Sequence, residues 1–167
     1  VINVMGSHPV EVNLLGGAVV NNSMSTTGAN IACISATNDG STVVLGGVKF
    51  AGNTNKNGET INALTLSTHN VTLIPTEDTD FQDPIYINNA YGSSKDVAIR
   101  VPEGLTKLKG KLPILLAKEF VGAATISGGT GEGAYALQPS DMEKVHVVNG
   151  IDGAYYLEVN ENNTAVF

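Results

Sequence analysis

The sequence predicts an all-β fold, a short right-handed parallel β-helix closed at its C-terminal end by irregular β-hairpins, with a β-sandwich as the alternative. Three observations lead there. The first is an internal repeat: LLGGAVVNNS, starting at Leu14, is answered thirty residues later by VLGGVKFAGNT, starting at Val44. The match runs on, because Gly28 answers Gly58, Ile31 answers Ile61, Ile34 answers Leu64, and Ser35 and Thr37 answer Thr65 and Ser67. Small residues and apolar doublets kept in phase at this period are the signature of stacked coils or blades. The second is composition. Only 15% of residues are charged, against 42% hydrophobic, so Asn, Thr, Ser and Gly carry most of the polar surface. That balance suits sheets and turns better than exposed helices rich in Glu, Lys and Arg. The third is the tail, where Asn149–Phe167 reads as hairpins and not as a further coil.

Short strands are expected in order along the chain. Val1–Pro9 gives a leading strand and turn. Val10, Val12 and Leu14 alternate with Glu11 and Asn13, a period of two. Gly16–Gly17 and Gly46–Gly47 interrupt strand-like runs and are expected to form corners between two short strands. Ile31–Ser35, Ile61–Ser67 and Val71–Ile74 continue the pattern. Thr76–Pro84 (TEDTDFQDP) reads as an irregular acidic insert before Ile85–Ile87. Val97, Ile99 and Val101 alternate clearly, and Leu105–Leu112 reads as a strand with a turn at Gly110. Pro113–Phe120 is the one stretch expected as a helix, since proline suits the first helical position, with an apolar strand as its alternative. Tyr135–Leu137, Val145–Val148, Tyr155–Val159 and Thr164–Phe167 complete the strands, and Ser140–Glu143 suits one helical turn. Residues 1–104 are read as β-helical coils and residues 105–167 as a capping region continuous with them, since an open solenoid end exposes unpaired backbone groups.

Charge excludes some partners. A net charge of −7 leaves no counter-ion release to drive nucleic-acid binding, and anionic lipid is equally disfavoured. The densest basic group is Lys107, Lys109 and Lys111, with Lys118 beyond. No stretch reads as a signal peptide or a transmembrane helix. A chain opening on Val1 instead of Met reads as a piece of a longer polypeptide. The single cysteine, Cys33, permits no intrachain disulfide; in the repeat it matches Ala63, so it reads as a small buried filler.

Candidate chemistry is sparse. Glu77, Asp78, Asp80 and Asp83 form the one acidic cluster. It reads as a solvated loop, with a Ca²⁺ site at residues 77–83 or an acid–base pair for glycosidic cleavage as alternatives. No other cofactor is expected, and no residue is assigned a catalytic or cofactor-binding role. His8, His69 and His146 lack metal-ligand spacing. Ser127–Gly133 is glycine-rich but lacks the ending of a phosphate loop. Tyr86, Tyr91, Tyr135, Tyr155 and Tyr156 suit packing, with sugar stacking as the alternative. Asn21, Asn70 and Asn162 each open an Asn-x-Ser/Thr tripeptide. Arg100, the only arginine, sits in an alternating strand with no acidic partner at the repeat spacing.

The segments GGAVVNNS, GGVKFAGNT, DVAIRVPEGLTKLKG and VHVVNGIDGAYYLEVNENNTAVF together resemble the C-terminal region of long surface proteins of Gram-positive gut bacteria. The repeat region of those proteins is a right-handed β-helix of the polymorphic-outer-membrane-protein or pectate-lyase-like type. The resemblance implies a non-catalytic extracellular or cell-surface module, an adhesin that presents or binds a protein or glycan. It also leaves open a fragment of a polysaccharide lyase or glycoside hydrolase, or a phage or fibre assembly protein, because a scaffold does not choose its function.

Overall fold

A computed structural model describes residues 2–4, 10–27, 31–36, 42–66, 70–87, 99–116, 124–129, 131–148, 158–159, 161 and 163–166. The chain winds as a right-handed parallel β-solenoid with three faces. The first coil comprises β1 (Ile2–Val4), β2 (Glu11–Leu14) and β3 (Gly17–Val20). The second repeats it with β4 (Ala32–Ala36), β5 (Thr42–Leu45) and β6 (Val48–Ala51). The third supplies β7 (Asn62–Leu66), β8 (Asn70–Leu73) and β9 (Asp80–Phe81). Beyond them, β10 (Ile85–Ile87), β12 (Leu112–Leu116) and β14 (Val145–Val147) extend the first face. Strands β11 (Ile99–Arg100) and β13 (Ala124–Ser127) extend the second.

Pairing follows the winding. The first face is a six-stranded parallel sheet ordered β1-β4-β7-β10-β12-β14, and the third face is the three-stranded sheet β3-β6-β9. The second face runs β2-β5-β8-β11-β13 in parallel and then changes sense. Its last strands, β16 (Thr164–Val166) and β15 (Glu158–Val159), pair antiparallel. The expected hairpin cap is therefore present on this face, and the parallel ladders exclude the sandwich, whose sheets are antiparallel.

Each face turns alternate residues inward, as the pleat of a strand dictates. On the first face Ile34, Leu64, Ile85 and Ile114 stack in register. On the second, Val12, Val43, Val71, Ile99 and Ile126 do so, beside Leu14, Leu45 and Leu73. On the third, Phe50 and Phe81 stack with ring centroids 5.3 Å apart and planes 18° from parallel. Full burial of one such side chain is worth about 1.5–3 kcal/mol, so the identical rungs supply most of the cohesion between coils.

The repeat is real, but its register is not uniform. Thirty residues separate Ile34 from Leu64, while Leu14 pairs with Leu45 and Gly17 with Val48, thirty-one apart. The glycine pairs are thus offset by one: a Cβ on Gly47 would lie 3.7 Å from the Cα of Gly16. The corner from the third face to the first is one residue shorter in the second coil (Phe50 to Leu64) than in the first (Val19 to Ile34), which absorbs the difference. The glycines do form the expected corners, and Gly47 adopts φ +61°, a left-handed conformation costly for other residues.

Four local expectations are corrected. Pro113–Leu116 is strand and not helix, because Leu112, Ile114 and Leu116 alternate inward between β10 and β14; residues 117–120 lie outside the described set. Residues 105–111 form turns, with a single bridge from Lys109 to Asp80. Tyr135–Leu137 is irregular. Thr76–Pro84 is no insert: it contains β9, the third coil's strand on the third face. The expected helical turn is present as α1 (Pro139–Met142). No described helix is long and apolar enough to cross a membrane.

Candidate functional site

Arg100 is placed by the alternation of β11. Ile99 is fully buried, so Arg100 projects from the outer surface of the second face. The ladder puts it in register between Thr72 of β8 and Ser127 of β13, with Thr164 of β16 beyond. The outer row at this end is therefore Thr72, Arg100, Ser127 and Thr164, a cation among hydroxyls.

A loop rises beside that row. Residues 128–129 and 132–135 and the turn after β11 border a cleft of about 300 Å³ lined by Arg100, Pro102, Gly128, Gly129, Glu132 and Tyr135, among others. That volume lies at the lower end of small-ligand sites. Arg100 and Glu132 have no side-chain hydrogen bond or ion pair within the described residues. The structure thus brings to Arg100 an acidic neighbour absent at the repeat spacing, because Glu132 arrives on a loop and not on a coil.

Two polar hubs, one buried and one half-buried, hold the walls. Asp141, fully buried, accepts hydrogen bonds from the Leu105 backbone N–H (2.7 Å), the Gln138 backbone N–H (2.9 Å) and the Tyr135 hydroxyl (2.9 Å). Burial, that hydrogen bond and the Asp141 charge all push the Tyr135 phenol above its ordinary pKa. Asn163 is the second hub. Its Nδ2 donates to the carbonyls of Tyr135 (2.6 Å) and Gly129 (3.4 Å), and its Oδ1 accepts from the Leu137 N–H (2.8 Å). A Cβ at Gly128 would collide with the Tyr135 carbonyl, so the loop closes on itself only with glycine there.

The residues singled out from sequence fall differently. Glu77 and Asp78 are exposed in a turn. Asp80 pairs with Lys49 at 3.3 Å and accepts from Gln82 at 3.0 Å. Asp83 is buried in a polar corner, where it accepts from the backbone N–H (3.3 Å) and Nδ2 (2.5 Å) of Asn53. The acidic stretch is therefore not one solvated loop, since its two later carboxylates are engaged within the fold. Among the described residues no group of three or more His, Cys, Asp or Glu side chains is placed to hold a metal ion. Cys33 is a buried filler, and burial together with the Asp83 charge raises its thiol to about 11. His146 is exposed on β14, whereas His8 and His69 lie outside the described residues. Tyr86 is buried and Tyr135 lines the cleft; Tyr91, Tyr155 and Tyr156 are outside the described set.

Sequence reasoning missed Glu132, Asp141 and Asn163 as a working group. Their separations in sequence follow no period, so only the folded loop joins them. The Asn53–Asp83 pair was findable, because its thirty-residue spacing is that of the repeat.

Comparison of the chain with protein-family models, with curated proteins and with solved structures returns no match. What the fold and the cleft define is a class: a right-handed parallel β-solenoid scaffold carrying a polar cleft on one outer face.

Proposed function

We propose that this protein is a non-catalytic module of an extracellular or cell-surface protein, an adhesin-like segment that presents or binds a protein or glycan. Residues 105–167 serve in this reading as the cap of the coils built by residues 1–104. The observation that carries the reading is the Arg100–Glu132 cleft: two charges unpaired among the described residues and a tyrosine ring held beside a hydroxyl-bearing row on a stiff parallel ladder. Such a surface offers donors and acceptors at fixed spacing to a polar ligand, and a ladder with buried rungs spends little ordering entropy on binding. A net charge of −7 argues against nucleic acid as the partner.

The competing reading is a polysaccharide-cleaving fragment, favoured specifically by an arginine and a carboxylate lining one cleft. A glycan panel separates the two. The binding reading expects saturable binding of at least one glycan by the wild-type chain, weakened about tenfold in Arg100→Ala, with no new reducing ends or unsaturated products. Product formation that Arg100→Ala abolishes would establish the enzyme instead.

A further inference from the structure

The cleft beside β13 is lined by opposite charges that do not neutralise each other. Arg100 and Glu132 both border it and both are exposed. No ion pair or side-chain hydrogen bond joins either of them to the other, or to any other described residue. Neither charge is committed to the fold, so each is free to engage a ligand without breaking an internal contact.

The groups that accompany each charge match it in kind. Ser127, the neighbour of Arg100 in the ladder, accepts the Gly129 backbone N–H at 3.0 Å. That bond fills a lone pair of the hydroxyl, and its hydrogen has no described acceptor. Thr72, the neighbour on the other side, likewise gives its hydroxyl hydrogen to no described residue. An arginine only donates, so the ladder wall carries a guanidinium flanked by two hydroxyls that are free to donate. The loop wall is different. The hydroxyl hydrogen of Tyr135 is spent on Asp141 at 2.9 Å, and Asn163 holds the Tyr135 carbonyl at 2.6 Å. What Tyr135 has left for the cleft is its ring, whose face attracts a cation. Glu132 on the same loop, once ionised, only accepts.

We infer that the cleft binds a dipolar group, one that carries a carboxylate and an ammonium a few bonds apart, with the carboxylate on Arg100 and the ammonium on Glu132 and the Tyr135 ring. The two charges select this class. A plain anion gains Arg100 but meets Glu132 and a chain of net charge −7. A plain cation meets Arg100. A neutral sugar leaves both charges without a counter-charge. A dipolar group answers both, through charge-assisted hydrogen bonds that are about twice as strong as neutral ones. A cleft of about 300 Å³ holds a group of amino-acid size. The same chemistry is found in a free amino acid and in a glycan that sets an amino sugar beside a carboxylate-bearing one. The inference rests on the binding role proposed for this cleft and names the chemistry of its ligand.

The test reads the amide chemical shifts of Gly128, Gly129, Gly133 and Ala134 in the complete chain at constant ionic strength. The probes are alanine, its separate halves acetate and ethylammonium, the neutral sugar maltotriose, and an oligosaccharide with a free amino sugar beside a carboxylate-bearing one. The expected result is a saturable shift with alanine or with the dipolar oligosaccharide, the tighter of the two naming the source. Either half and maltotriose should bind about tenfold more weakly or less. Arg100→Gln should weaken the dipolar probe about tenfold and strengthen ethylammonium, while Glu132→Gln weakens the dipolar probe as much and strengthens acetate. Both side chains are exposed, so neither substitution removes a contact that holds the fold. No saturable shift with either dipolar probe overturns the inference. So does a half or maltotriose that binds as tightly, or a dipolar affinity that one of the substitutions leaves unchanged. Maltotriose or another neutral glycan binding where the dipolar probes do not overturns this inference alone and keeps the binding role of the cleft; no binding by any probe or glycan removes both.

Discussion

Asn53 and Asp83, thirty residues apart in sequence, meet in a buried corner where one carboxylate oxygen takes both the side-chain amide (2.5 Å) and the backbone N–H (3.3 Å) of the asparagine. This pair ties the second coil to the third independently of the apolar rungs. Asp83→Ala leaves the Asn53 backbone N–H and one hydrogen of its Nδ2 buried without a partner, the other hydrogen keeping the Val19 carbonyl, which costs about 2–4 kcal/mol. Asp83→Asn keeps an acceptor oxygen and costs about 1 kcal/mol. Urea unfolding of the two variants checks the ordering; an alanine variant as stable as the asparagine one would show that the corner adds nothing.

Gly104 and Gly110 share a left-handed conformation, with φ +74° and +75°. They differ in surroundings: a Cβ on Gly104 would sit 2.5 Å from the Tyr135 hydroxyl and 2.7 Å from Asp141, whereas nothing lies within 4 Å of one on Gly110. Alanine at 110 therefore carries the conformational cost alone, about 1 kcal/mol. Alanine at 104 adds displacement of the Asp141 hub, for a total of about 2–4 kcal/mol. Thermal unfolding of the two variants should reproduce that gap. Equal losses would mean that the hub yields freely.

The Cys33 thiol, pushed up to about 11, gives stability a pH dependence at alkaline pH. The folded state keeps the proton that the unfolded chain releases above its ordinary value of 9.0. The unfolded state then binds fewer protons, so stability falls as pH rises from about 9 to 11, by roughly 2–3 kcal/mol in all. Tyr135, raised in the same sense, contributes in the same direction. Cys33→Ala, which fills the site as Ala63 does one coil on, should flatten the Cys33 part of this slope in denaturant titrations at several pH values. At neutral pH the native thiol should react with aromatic disulfides only as fast as the chain opens.

Much of the fold is legible in the sequence because a solenoid writes its rungs as a period. The alternation of Val12 and Leu14, the glycine corners and the Ile34–Leu64 spacing all report side chains that repeat with the coil. The one-residue shift at Gly16 and Gly47 was hidden because aligning identical glycines is the better match in letters, while packing aligns Leu14 with Leu45. Pro113–Phe120 reads as helix because proline suits a first helical position, yet the same letters suit its strand alternative, and pairing with β10 and β14 decides for strand over Leu112–Leu116. The cleft was illegible for a different reason. Glu132 lines the same cleft as Arg100 on a loop held by Asn163 and Asp141, and no local pattern encodes hydrogen bonds spanning 26 to 36 residues.

The parallel register stacks one coil on the next and thereby sets the Asn53–Asp83 corner and the row around Arg100. Nuclear Overhauser contacts between backbone protons of β2 and β5 test it most directly. The structure predicts contacts that pair Asn13 with Val44 and Leu14 with Leu45, in parallel sense. Contacts pairing Leu14 with Val44, or an antiparallel pattern between these strands, would contradict it.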